Sequence, residues 1–111
     1  MGFDKNVYID AEDGAKRVGG NMALYKKLLT RFAESNYLES LTAELGSGDI
    51  EGAANMAHTI KGVSANLSLT KVNEISAALE SALKNGKPHE DLYAELKTAA
   101  DATIKEISSL Q

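Results

Sequence analysis

The sequence predicts an all-α protein, an antiparallel four-helix bundle with one or two additional short N-terminal helices. Three observations carry that expectation. A single proline in 111 residues and few β-branched runs leave little that favours strands. The apolar residues are mainly aliphatic, rich in alanine and leucine, and recur at three- and four-residue spacing. Short glycine-containing breaks cut the chain into helix-length pieces, the pattern of antiparallel neighbours in a bundle. An irregular helical domain built from the same elements is the alternative.

The elements follow in order. "YIDAEDGAKRVGG" reads as a short first helix, capped by Asp10 and stopped by Gly19 and Gly20. Asn21 caps a second, with Leu24, Leu28 and Phe32 on its apolar face. A third runs through Leu38, Leu41 and Leu45 to "GSGD", where Asp49 caps the fourth. The fourth extends to about Asn66 or Leu67, and Ser68 or Thr70 is expected to cap the fifth, which carries Val72, Ile75, Leu79 and Leu83. "NGKP" ends it. Pro88 suits the first turn of a last helix, whose face is Leu92, Leu96, Ala99, Thr103, Ile107 and Leu110. The third to sixth helices are expected to form the bundle, with the first as a lid. No internal repeat or low-complexity segment interrupts them, so residues 1–111 read as one domain.

Composition excludes several classes of function. Without cysteine there is neither a disulfide framework nor a thiolate metal site, and a reducing, cytoplasmic setting is expected. A formal net charge of -4 disfavours nucleic acid as the partner, because phosphate binding needs a basic face. No apolar run approaches the roughly 20 residues that span a bilayer. The opening "MGFDKNVYID" lacks the basic and apolar regions of a secretory leader. The expected state is a monomer that uses neither membrane nor cofactor.

"AHTIKG", residues 57–62, concentrates the chemistry. On a wheel advancing 100° per residue, Ile50, Ala53, Ala57, Ile60, Ser64 and Leu67 form the core side of the fourth helix. His58 falls about 120° from its centre and should be exposed. Its helical neighbours are Ala54, Lys61, Gly62 and Ala65. Three of these four are small, where an exposed face would normally carry long polar side chains. The result is a low, open patch around one imidazole that a second protein can approach. A neutral imidazole is a competent nucleophile, and phosphorylation would place negative charge near Lys61. Glycine costs about 1 kcal/mol relative to alanine in a helix. Clearance for an incoming domain at Gly62 offsets that cost; close helix packing is the competing explanation. A surface histidine is more often merely solvated, so the weight rests on the combination of His58, Lys61 and Gly62.

Other candidates are weaker. His89, beside Pro88, Glu90 and Asp91 in a polar turn, reads as solvated. Di-iron bundles need Glu-x-x-His pairs, but the residue three before His58 is Asn55. Ser64 and Ser68 lack a nearby base and a nucleophile-elbow context. "GSGDIEG" lacks the lysine and the strand of a phosphate-binding loop. Glu12 and Asp13 suit the first turn of a helix dipole.

"AHTIKGVSANLSLTKV" resembles the signature of histidine-containing phosphotransfer (HPt) domains, His-x-Leu-Lys-Gly followed by small residues. His58, Ile60, Lys61, Gly62, Ser64, Asn66 and Leu67 carry the match. "RVGGNMALYKKLLTRF" and "LGSGDIEGAANMAHT" are similar to the family's flanking stretches, so the resemblance covers about residues 8–110. Many members have glycine ten residues after the histidine, where this chain has Ser68. The resemblance implies a phosphorelay intermediate rather than an enzyme. His58 would accept a phosphoryl group from the aspartate of a response-regulator receiver domain, then pass it to another receiver. Lys61 would stabilise charge and Gly62 would leave the receiver access. The receiver would supply the Mg²⁺, and the docking surface would extend from His58 onto the second and first helices. A hybrid sensor histidine kinase is the other implied partner, and the chain reads equally as a free-standing shuttle or as a domain of such a kinase. The alternative is a helical interaction module that binds a receiver or other signalling domain without being phosphorylated.

Overall fold

The structure, a computed structural model, describes residues 8–110. Most of the stretch read for a leader, residues 1–7, lies outside the described residues. Within them are six helices and no strand: α1 (Ala11–Arg17), α2 (Met22–Ala33), α3 (Tyr37–Ser47), α4 (Ile50–Asn66), α5 (Thr70–Lys84) and α6 (Glu90–Leu110). Helices α3 to α6 form the antiparallel bundle, α2 packs on α6, and α1 rests on α2. The most extensive pairing is α4 with α5.

Local chemistry sets the boundaries. Asp10, Asn21 and Asp49 accept the backbone N–H of Asp13, Leu24 and Gly52 at 3.1, 3.0 and 2.9 Å, satisfying donors that a helix start leaves open. Gly48 closes α3 in the left-handed region, where a glycine has no Cβ to strain.

Four boundary or face expectations need correction. The buried stripe of α2 is Tyr25, Leu29 and Phe32; Leu24 is exposed and Leu28 only half-buried. The leucines of this helix allow two apolar stripes, and the tyrosine decides between them. Its ring is fully buried, its hydroxyl donates to the Leu67 carbonyl at 2.5 Å, and burial chiefly, with Asp10 and Asp13, raises its pKa to about 12. Ile50, placed in the core by the wheel, is the first residue of α4 and stays exposed. Leu69, not Ser68 or Thr70, occupies the N-cap position of α5, with no side-chain hydrogen bond. Pro88 precedes α6, which starts at Glu90 after the His89 carbonyl accepts the Tyr93 N–H.

Ser68 has another task. It is the one non-glycine residue with positive φ among those described, at 56°. An L-residue there costs about 1–2 kcal/mol, which is why glycine suits this position. Here the hydroxyl donates to Asp13 Oδ2 at 2.6 Å, and the Ser68 carbonyl accepts the Asp10 N–H at 2.9 Å. The Ser68 hydrogen bond, followed by that of Arg17, lowers the Asp13 pKa. These bonds fasten α1 to the α4–α5 turn. Gly14 completes the seat, since a Cβ there would overlap the Tyr25 ring.

Candidate functional site

His58 projects from the middle of α4 with its side chain 64% exposed, as its wheel position requires. Ala57 and Ile60 on either side are fully buried, so the backbone beneath the imidazole is held by the core. Of its four helical neighbours, Gly62 and Ala65 are exposed and Lys61 is half-buried. Ala54 is buried and takes no part in the open patch. A Cβ built on Gly62 meets nothing within 4 Å, so this glycine is not there for close helix packing.

The decisive neighbour comes from α5. Glu80, only 6% exposed at its side chain, lies against the imidazole with Oε2 2.9 Å from His58 Nδ1. Lys61 Nζ is 2.8 Å from Oε1, and Lys84 Nζ is 2.8 Å from Oε2. The ammonium of Lys61 therefore engages Glu80, from which it flanks the imidazole. A buried carboxylate is costly unless paired, and here both oxygens are paired. The hydrogen bonds from Lys61 and Lys84, and then that from His58, outweigh burial and hold the Glu80 pKa at about 2. The carboxylate is ionised throughout the neutral range.

Sequence reasoning brought His58, Lys61 and Gly62 together and missed Glu80 and Lys84. Glu80 and Lys84 are four apart on a helix, the spacing of an ordinary solvated ion pair. The available signal was position: Glu80 directly follows Leu79 and sits three before Leu83, next to the buried stripe of α5. The remaining candidates stay apart from the site. Ser64 is buried and donates to the carbonyls of Ile60 and Lys61 at 2.7 and 3.0 Å, so its hydroxyl serves the helix backbone. His89 lies half-buried beside α6.

An open groove of about 290 Å³ runs between α2 and α4, lined by Leu28, Arg31, Phe32, Tyr37, Val63, Asn66 and Leu67. Asn66 is eight residues beyond His58, about 12 Å along the axis at 1.5 Å per residue. Exposed Leu24 lies one turn before Leu28 on the α2 side. The exposed imidazole thus stands on the helix that also lines this groove, with apolar ground beyond it.

These features define a helical bundle with one exposed histidine on an open face. The family model of the Hpt domain matches residues 27–107, and the chain belongs to that family. Hpt domains are phosphotransfer modules of two-component signalling. The fold agrees with the crystal structure of the HPT domain from an Hpt sensor hybrid histidine kinase of Shewanella. The TM-score is 0.72 at 22% identity, covering 92% of this chain and 89% of that one. No curated protein matches the chain in sequence. Among the described residues, no helix is long and apolar enough to cross a membrane.

Proposed function

We propose that the protein is a histidine phosphotransfer intermediate, with His58 accepting a phosphoryl group from a receiver aspartate and returning it to another receiver. The observation that carries this reading is an exposed imidazole backed by a charged cluster, on a face kept low by Gly62, in a chain of the Hpt family. In acceptance, an imidazole lone pair attacks phosphorus as the acyl-phosphate P–O bond breaks, and the electron pair leaves with the receiver carboxylate. Donation reverses those bonds. Such transfer depends mainly on positioning and charge stabilisation. Lys61 and Lys84 bring positive charge beside the arriving phosphoryl group, and the receiver brings its own Mg²⁺. The protein then needs no substrate pocket and is no enzyme in its own right.

The receiver fits the open face that runs from His58 past Gly62 to the α2–α4 groove. Gly62 clears its approach, and Leu24, Leu28 and Val63 offer the apolar contacts. A monomer in the cytoplasm agrees with this role. Receivers charged with acetyl phosphate provide the test. Label should pass to the protein as an acid-labile, alkali-stable phosphate. Receiver binding without label transfer would instead identify a non-phosphorylated interaction module.

A further inference from the structure

Resting on the reading of His58 as phosphoacceptor, we propose that Arg31 is a specificity-determining residue for the receiver. Its guanidinium pairs with a carboxylate on the rim of the receiver's docking face, and so selects which receivers reach His58.

Charge is distributed unevenly over the molecule. The chain as a whole is acidic, with 16 Asp and Glu against 12 Lys and Arg. Helix α2 nevertheless carries Lys26, Lys27 and Arg31, and no carboxylate until Glu34 at its C-cap. Cations on the neighbouring helices are held within the chain. Lys16 pairs with Glu12 at 3.8 Å and Arg17 with Asp13 at 2.9 Å, while Lys61 and Lys84 both engage Glu80. Among the described residues, no carboxylate lies within 4.0 Å of any of the three cations on α2. The other described cations without such a partner are Lys71, Lys87, Lys97 and Lys105, spread singly over α5, α6 and the turn between them. Only α2 gathers unpaired positive charge.

Position singles out Arg31 among the three. It is exposed and lines the open groove between α2 and α4, where every other lining residue is uncharged. It also lines an open hollow on the outer side of α2, together with Lys26, Lys27 and Glu34. Arg31 is the one residue common to both, at the border of apolar and basic ground. The α4 wall of the groove begins at Val63, five residues or about 7.5 Å along the axis from His58. Gly62 leaves the surface between them open. A receiver that seats its phosphorylated aspartate against His58 therefore extends over the groove towards Arg31.

The apolar ground decides what this contact does. An ion pair in open water contributes little. Docking over Leu28 and Phe32 expels water, so a pair formed there acts in a lower dielectric. An unmatched guanidinium in the same place loses its hydration and gains nothing in return. A receiver with a carboxylate opposite Arg31 is favoured, and one with a lysine or an apolar residue there is penalised. Discrimination comes from the mismatch as much as from the match. The planar guanidinium can hold a carboxylate through two parallel N–H bonds, a geometry closed to lysine. Lys26 and Lys27 lie outside the groove and add long-range attraction, which speeds association and is screened by salt. Arg31 touches no reacting atom.

Competition among receivers tests the proposal. The full chain and its Arg31→Glu, Arg31→Lys and Lys105→Glu variants are each offered a panel of purified receiver domains charged with acetyl phosphate. Receiver binding and label transfer are followed at low and high salt, with phosphoramidate labelling, which needs no docking, as the reference for each protein. Lys105→Glu makes the same change of charge on α6, at a residue that lines neither the groove nor the hollow. The receiver preferred by the parent should transfer to Arg31→Glu at least about tenfold more slowly at low salt. Arg31→Lys should fall between, and Lys105→Glu should stay within about twofold of the parent. Replacing one Asp or Glu of that receiver by Lys should restore transfer to Arg31→Glu and weaken transfer to the parent. Equal losses in Arg31→Glu and Lys105→Glu would reduce the effect to net charge and overturn the proposal. An unchanged ranking of receivers in a folded Arg31→Glu, or the absence of any rescuing receiver variant, overturns it as well. Self-association of the parent that Arg31→Glu abolishes would assign the groove to a second copy of the chain instead. Receivers that bind the parent through Arg31 but pass no label would uphold the pairing and overturn the phosphoacceptor reading. If no receiver binds, both fall.

Discussion

Two carboxylates, Glu80 and Asp13, hold side chains across helix boundaries, and the contrast between them separates function from scaffold. Both have lowered pKa values, for the same kind of reason. Glu80 is buried, and its partners His58, Lys61 and Lys84 point outward to a low, open face. Asp13 is half-exposed, and its partners are Ser68 at a strained turn and Arg17 one turn away on its own helix. The first arrangement holds the Nδ1 side of an exposed imidazole against the protein. The second supports a backbone conformation that glycine adopts freely, and it secures α1. Buried charge with exposed partners backs the candidate site here, whereas half-exposed charge with a buried serine secures the fold.

Gly62 gives the largest expected separation between these regions. Gly62→Gln on the open face should stabilise the isolated domain by about 0.5–1 kcal/mol, since glycine is the poorer helix former. Receiver-dependent phosphorylation should fall at least about tenfold, equivalent to about 1.4 kcal/mol in the transition state, while phosphoramidate still modifies His58. Urea denaturation and both phosphorylation assays on one variant check this. Normal transfer from the receiver would remove Gly62 from the docking face, and a destabilised variant would contradict the open space around it.

Ser68 sharpens the other side with a smaller effect. Ser68→Ala keeps the strained φ of 56° and loses the bond to Asp13. It should cost about 1–2 kcal/mol in urea denaturation. Ser68→Gly loses the same bond but relieves a strain of about 1–2 kcal/mol, and should remain within about 1 kcal/mol of the parent. Equal losses in the two variants would mean that the turn stores no strain. Neither change should alter phosphorylation of His58 by phosphoramidate.

Features written in local chemistry were legible in the sequence. The caps at Asp10, Asn21 and Asp49 and the breaks at Gly19, Gly20 and Gly48 are decided by a few adjacent residues, and the helices start and stop there. The exposure of His58 follows from helical spacing alone. Features that depend on a partner element were not legible. The burial of Tyr25 needs the Leu67 carbonyl 42 residues away, and the Glu80 site needs α4 and α5 side by side. Ser68 was visible as a departure from the family's glycine, but its bond to Asp13 spans 55 residues. The candidate site was thus half readable: His58 from its own helix, the Glu80 carboxylate beside it only from the fold.

The central claim is that His58 is the phosphoacceptor, and phosphoramidate labelling of three proteins tests it without any receiver. The parent and His89→Gln should both gain one acid-labile phosphate. His58→Gln should gain none while its circular dichroism and melting remain close to the parent, because the exposed imidazole lies outside the core. Label persisting in a folded His58→Gln, or lost in His89→Gln, would contradict the account.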